Sequence, residues 1–204
     1  MDKWQTWCMH RTENPGKVIR FHSCPQKKMK MENEINMEEQ ILEVDKLYND
    51  GDYAECKRVL LDMLDQEPGF GRAHDMIACL YCFILDDLEK AVKHAKLAVK
   101  FAPTYPAAFI NCTRMLNHMN RHDELMTVTE QALKVLSMNK CIIFVERGKS
   151  FEKNEQLKKA LECYYDAEKF AITSREVEEV KDGIKRLKSK SLRPLKKIFW
   201  FNIK

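Results

Sequence analysis

Four potential metal ligands near the N-terminus form a Cys-x-His pair and a His-x-Cys pair. They are Cys8, His10, His22 and Cys24, and four such thiolate and imidazole ligands can hold a tetrahedral zinc ion. Only one residue separates the two ligands of each pair. Structural zinc sites space paired ligands by two or more residues, so that both side chains can turn onto one metal. We therefore predict no metal site here.

The residues that could support catalysis are scattered along the chain. His74, His94 and His118 stand at spacings that place no two of them beside one carboxylate in a recognisable motif. The sequence Gly69-Phe-Gly-Arg needs no explanation beyond a flexible turn, and no glycine-rich loop that could cradle a phosphate is found. We expect a protein that is not an enzyme, takes no small-molecule substrate and needs no cofactor.

The composition favours helices and a reducing compartment. The 204 residues include six Gly and six Pro, which is few, while Ala, Leu, Lys, Glu and Met recur as they do in helical proteins. Six of the eight cysteines lie among apolar neighbours in helical patterns, where a free thiol behaves as a small hydrophobe. Residues 4–21 contain no signal-peptide core, and no stretch approaches the ~20 apolar residues of a membrane span. We expect a cytoplasmic protein.

The charge is distributed unevenly. Residues 1–30 hold seven Lys or Arg against two acids, residues 175–204 hold ten against four, and the middle holds 18 against 25. An acidic body therefore carries two basic ends, and an anionic partner would bind at the ends. The acidic body argues against nucleic-acid binding, although Lys185 to Lys197 is basic and Trp200 could stack a base.

A repeat of 34 to 35 residues runs through the middle of the chain. Small or apolar residues return at Met63, Ala98, Ala132 and Ala167, at intervals of 35, 34 and 35 residues. Each closes a stripe with spacing i, i+4 and i+7, which forms one face of a helix and lets a second helix lie close. The stripes begin at Cys56, Ala91, Leu125 and Ala160 and continue at Leu60, Ala95, Thr129 and Tyr164.

This period and pattern resemble the tetratricopeptide repeat (TPR) family over roughly residues 37 to 172. The fourth repeat carries the clearest match, with the aromatic, Gly and Ala positions of the family at Phe144, Gly148, Phe151, Ala160, Tyr164 and Ala167. The resemblance implies an all-α fold, a right-handed α-α superhelix of about four helix-turn-helix repeats. We place the repeats at 37–68, 72–103, 106–137 and 141–172.

The flanking segments complete the predicted organisation. Residues 1–30 show no periodicity, so we expect an unstructured arm. Ser174 can cap a C-terminal helix over 174–190, whose polar outer face would shield the apolar end of the solenoid. The basic and aromatic tail, 191–204, has two interpretations: weak contact with a membrane surface, or packing on the last helices or on a neighbouring copy in a homodimer. We favour packing, because Pro194 interrupts the apolar face.

The resemblance implies that the first helices line a concave groove. The implied ligand-facing residues are Met76, Leu80, Phe83, Ile110, Asn111, Arg114, Glu146 and Lys149. Met and aromatic side chains on such a surface suit an apolar peptide. First helices also pack inward, so Ile77, Leu80 and Ile84 have a second interpretation as interhelical core.

Family members that grip the C-terminal carboxylate of heat-shock chaperones use Lys, Asn and Arg at set positions of their first helices. Here those positions hold Ile41, Asp45, Ile77, Ala107 and Asn111. An alignment that starts one repeat later retains only Asn111 and ends on Ile142 and Glu146, so that clamp is absent. We therefore expect a protein-protein interaction scaffold or chaperone-like adaptor that binds a peptide or helix segment of a partner protein. The alternative is a peripheral membrane-associated assembly factor tethered by its tail.

Overall fold

A computed structural model describes the backbone of residues 25–201 and the side chains of residues 36–191. The four potential zinc ligands near the N-terminus and the aromatic side chains of the tail lie outside the described residues. Within residues 25–201 every regular element is an α-helix, as predicted. The helices are α1 Pro25–Asp50, α2 Tyr53–Gln66, α3 Gly71–Phe83, α4 Leu88–Phe101, α5 Pro106–His118, α6 His122–Ala132, α7 Lys140–Lys153, α8 Leu157–Glu168 and α9 Ser174–Phe201. No helix in this range is long and apolar enough to cross a membrane.

The chain divides into two units, residues 1–38 and 39–204. The first unit contributes the N-terminal half of α1, which begins at Pro25, six residues before the predicted start of structure. Proline favours the first position of a helix, because its φ is preset and its missing N–H would have no partner there. The second unit holds the rest of α1 and helices α2 to α9, which form four helical hairpins and a final helix.

A tight turn joins the two helices in each of the four hairpins. One residue in each turn has a left-handed backbone, and these residues recur with the period of the sequence repeat at Gly51, Asp86, Asn120 and Glu155. Gly, Asn and Asp tolerate this conformation better than other residue types. Asp52 and Asp87 then cap the next helices by accepting backbone N–H bonds from Glu55 and Lys90 at 3.2 and 3.1 Å.

The predicted stripes of the second helices are buried in all four hairpins. We call these twelve positions the seam: Cys56, Leu60, Met63, Ala91, Ala95, Ala98, Leu125, Thr129, Ala132, Ala160, Tyr164 and Ala167. Each is at most 1% exposed. Small side chains there let α3 lie closely on α4 and α7 on α8, so the periodicity identified the core of each hairpin correctly.

Helix α9 packs on the last hairpin through an aromatic contact. The Tyr164 ring of α8 lies between Gly148 of α7 and Gly183 of α9, and its hydroxyl accepts a hydrogen bond of 3.0 Å from Arg186. A Cβ atom on Gly183 would stand 2.3 Å from this ring. The predicted capping helix is therefore present, and its backbone continues through Pro194 to Phe201 instead of ending near residue 190. A proline within a helix removes one hydrogen bond and can be accommodated as a kink.

We expect Gly183→Ala to lower the free energy of unfolding by about 1–3 kcal/mol, because the added methyl group displaces the Tyr164 ring. The higher helix propensity of Ala acts in the opposite direction by at most about 1 kcal/mol. Urea denaturation measures the difference. Glu178→Ala, at an exposed position of α9, is the control and should change stability little. A Gly183→Ala protein as stable as the wild type would contradict the packing described for Tyr164.

A histidine pair lies between α3 and α4, with His74 buried and His94 half-buried. The Nδ1 atoms of His74 and His94 lie 3.0 Å apart, and His74 Nε2 lies 3.0 Å from the carbonyl oxygen of Pro68. A carbonyl only accepts, so we assign the His74 proton to Nε2; His94 then donates from Nδ1 to His74 and both rings are neutral. Burial lowers the pKa of both histidines, and His74 lowers that of His94 further.

Acidification should therefore destabilise the second hairpin. The folded-state pKa of each ring lies below the value of 6.5 for a free histidine. Unfolding therefore takes up protons at pH values between the folded-state pKa and 6.5. The stability is fully present above about pH 6.5 and is lost as the pH falls through the folded-state pKa. Urea denaturation at several pH values should show that the free energy of unfolding falls less on acidification for His94→Gln than for the wild type. His118→Gln, at an exposed site, is the matched control; an unchanged pH profile for His94→Gln would refute the assignment.

Candidate peptide-binding groove

The first helices of the hairpins lie side by side. Helix α5 packs between α3 and α7, and α7 also contacts α9. Each of these helices packs on the second helix of its own hairpin with one face. Its opposite face lies on the side of the hairpin away from that second helix. The residues predicted to bind a partner lie on α3, α5 and α7.

Buried hydrogen bonds join neighbouring first helices. The Asn111 side-chain amide of α5 lies 3.1 Å from each carboxylate oxygen of Asp75 on α3. Burial raises the pKa of Asp75, an effect that Asn111 opposes. The Asn117 amide donates to the Glu146 carboxylate of α7 at 2.8 Å and to the Glu146 carbonyl at 3.0 Å. These bonds fix the spacing of α3, α5 and α7 because a buried polar group that loses its partner is costly.

Ion pairs continue the connection from α7 to α9. Lys149 bonds to Glu146 at 3.0 Å and to Glu179 of α9 at 2.8 Å. Glu152 receives hydrogen bonds from Arg186 at 2.8 Å and from Lys190 at 2.6 Å, and the Arg186 bond is the main cause of its lowered pKa. The carboxylates at this end of the surface are therefore already engaged by cations of the chain.

Two adjoining pockets lie along this surface and together form what we call the groove. The apolar pocket, of about 410 Å³, has Phe83, Leu88 and Met115 among its lining residues. The charged pocket, of about 390 Å³, includes Lys149, Lys153 and Lys190. Arg114 and His118 line both pockets, so they stand at the junction. The lining of the groove thus changes from apolar in the first pocket to mixed charge in the second.

Phe83 and Arg114 are the groove side chains best placed to meet a ligand. Phe83 is 68% exposed at the C-terminal end of α3. Arg114 is exposed, and no hydrogen bond or ion pair engages it among the described residues. Burying a phenylalanine side chain is worth about 1.5–3 kcal/mol, and an unpaired guanidinium can bind a carboxylate in a bidentate manner.

The other predicted groove residues have different environments. Leu80 is 0% exposed and belongs to the core between α3 and its neighbours, so its assignment to the groove is wrong. Glu146 lines the charged pocket, but it is 6% exposed and its carboxylate is held by Asn117 and Lys149. Met76 and Ile110 are half-buried and line neither pocket. Of the alternative core residues, Ile77 is also buried, whereas Ile84 is half-buried.

Sequence reasoning missed several lining residues. Leu88 is the first residue of α4, Met115 lies largely buried beneath the apolar pocket, and Lys190 comes from α9. The pattern of the first helices contains no signal for residues contributed by the start of a second helix or by the capping helix. The register of α9 could have indicated Lys190, since it lies four residues beyond Arg186 on the same face.

The groove carries groups that can bind a ligand. Among residues 36–191 no three His, Cys, Asp or Glu side chains stand close enough to hold a metal ion. The surface offers an exposed aromatic ring, an unpaired guanidinium and a row of lysines, held on helices joined by buried hydrogen bonds. This arrangement is a helical solenoid with a groove along its first helices.

Known structures with the TPR fold resemble this chain. PilF of Pseudomonas aeruginosa superposes with a TM-score of 0.67 at 15% identity, over 79% of this chain and 71% of PilF. The type IV pilus biogenesis factor PilW gives 0.57 at 19% identity over 65% of this chain, which spans 60% of PilW. The TPR protein TTC0263 of Thermus thermophilus gives 0.55 at 16% identity, over 77% and 90% of the two chains. No family model matches the sequence, and no curated protein does. The fold is therefore that of a TPR solenoid, as the sequence predicted.

We expect Asn111→Leu to lower the free energy of unfolding by about 1–3 kcal/mol at pH 7, because it leaves the buried Asp75 carboxylate without its amide donor. Loss of the donor raises the Asp75 pKa further, so the deficit should shrink as the pH falls and this group is protonated. Urea denaturation at pH 7 and pH 4.5 measures both effects, as the difference in free energy of unfolding between the variant and the wild type.

Asp75→Asn in the Asn111→Leu background is the matched control. It removes the buried charge, so the pH dependence of the deficit should disappear. The double variant should show the same deficit at pH 7 and at pH 4.5. If the deficit of Asn111→Leu is also the same at the two pH values, the hydrogen bond does not hold a charged Asp75.

Proposed function

We propose that this protein is an interaction scaffold or chaperone-like adaptor that holds a peptide or helix segment of a partner protein in the groove. The observation that carries the proposal is the pair of adjoining pockets, with the exposed Phe83 in one and the unpaired Arg114 between them. An extended or helical segment bound there would cover the aromatic ring and place a carboxylate near Arg114.

The rigidity of the groove supports this proposal. The Asp75–Asn111 and Asn117–Glu146 bonds hold α3, α5 and α7 in fixed positions, so the surface needs little reorganisation on binding. A pre-organised surface loses less conformational entropy when it binds, and more of the contact energy appears as affinity. PilW is a pilus biogenesis factor, which is compatible with an assembly function for this chain, although the likeness in itself concerns only the fold.

The thiols support a reducing compartment as the site of action. The six cysteines among the described residues are all free, and four of them are buried. Burial raises the pKa of Cys79 and of Cys112 to about 12, so these thiols are weak nucleophiles that serve as packing groups. A cytoplasmic location fits these properties.

Phe83→Lys should weaken partner binding by about tenfold or more while leaving thermal melting nearly unchanged, because the ring is largely exposed. Ala160→Arg should unfold the fourth hairpin by forcing a charged side chain into the seam. Proteins captured on the immobilised wild type are identified by mass spectrometry, and the affinity of the purified partner is then titrated.

Ile172→Lys is the matched control, since it also places a lysine at an exposed apolar position but lies outside the groove. A partner segment bound in the groove is lost from Phe83→Lys and from Arg114→Glu and is retained by Ile172→Lys. The proposal fails if no partner shows this pattern. The groove assignment fails if Phe83→Lys melts the protein as Ala160→Arg does.

A further inference from the structure

The opposite side of the hairpins carries a second recess that the proposed function does not use. Helices α4 and α6 both pack on α5, and a furrow runs between them. It contains two pockets of about 520 and 410 Å³, which share Val99, Pro103 and Gln131 and are therefore continuous. We call this recess the outer furrow.

Ion pairs close one end of the outer furrow. Lys96 of α4 bonds to Glu124 of α6, and Arg121 bonds to Glu124 at 2.5 Å and to Glu89 of α4 at 3.4 Å. The opposite end lies at the C-termini of both helices and finishes at Leu136, which is 102% exposed. On α6 its lining runs from Glu124 to Gln131, which is about 10 Å or two helical turns, and it continues past the end of that helix to Leu136.

The outer furrow has an apolar floor and a basic rim. Val99, Val128 and Phe109 are largely buried beneath it, so little of the floor is polar. Lys100 and Lys134 stand at the rim, and neither has a carboxylate partner among the described residues. The acidic lining residue, Glu124, is already bound by two cations.

We propose that the outer furrow docks an acidic amphipathic helix of a partner protein, independently of the groove. A helix laid along the recess would cover Val99 and Leu136 with its apolar face and bring carboxylates to Lys100 and Lys134. The terminal segments of this chain carry net charges of +5 and +6, so they do not complement the basic rim. A flat membrane surface could reach Leu136 but not the floor between the two helices.

The probe is a fluorescein-labelled 16-residue helical peptide with leucines along one face and glutamates elsewhere. The control peptide has the same leucines and a lysine for each glutamate. Fluorescence anisotropy should show saturable binding of the acidic peptide to the wild type. Lys100 and Lys134 are both exposed, and the variant with Lys100→Glu and Lys134→Glu should bind the acidic peptide at least about tenfold more weakly. The same variant should bind the lysine peptide, which the wild type does not.

Phe83→Lys distinguishes this site from the groove and should bind the acidic peptide like the wild type. A photo-crosslinking group on the peptide should label residues of α4 and α6. The proposal is overturned if the wild type does not bind the acidic peptide, or if the lysine reversals leave binding unchanged. It is also overturned if Phe83→Lys abolishes binding, in which case the peptide occupies the groove and the proposed function stands.

Two further measurements identify other occupants. Sedimentation equilibrium that shows self-association of the wild type, abolished by the two lysine reversals, would assign the outer furrow to a second copy of this chain and overturn the proposal. Vesicles with about one third phosphatidylserine test a lipid surface. Vesicle binding that requires Lys100 and Lys134, without binding of the acidic peptide, would also overturn it.

Discussion

Close packing of the two helices in each hairpin is the constraint on which the rest of the structure depends. Most seam positions are small, so the second helix lies near the first and the hairpin buries a continuous apolar face. Where the seam of the last hairpin carries a large residue, the partner helices carry glycine. Tyr164 illustrates this, because its ring occupies space left by Gly148 and Gly183. A side chain added at either glycine would separate helices that must remain in contact.

The contacts between hairpins are of a different kind. Neighbouring first helices are joined by buried polar side chains, such as Asp75 with Asn111 and Asn117 with Glu146. A hydrogen bond of this kind contributes modest net stability, but a mismatched partner is costly, so such pairs specify one register between helices. Apolar contacts would tolerate small shifts along the helix axes. The polar bonds therefore explain how a stack of similar hairpins can hold the groove in one geometry.

The sequence is most informative where the repeat imposes the same physical requirement in every copy. The seam at Ala91, Ala95 and Ala98 and the left-handed turns at Asp86 and Asn120 recur because each hairpin must close in the same way. Helix ends are less predictable. The absence of periodicity places the first helix after residue 30 and Pro194 suggests an interruption, but α1 begins at Pro25 and α9 continues through Pro194. A proline permits several outcomes, and packing decides among them.

The groove is only partly predictable, for a reason that Leu80 and Phe83 make clear. They are three residues apart on α3 and share a face, so helical spacing assigns them the same role. Leu80 is buried among the neighbouring helices, whereas Phe83, the last residue of α3, is largely exposed. Position along the helix axis, which periodicity does not report, thus separates a core residue from a candidate contact. The same reasoning applies to the outer furrow, where Leu136 is exposed because α6 ends at Ala132, before the chain reaches it.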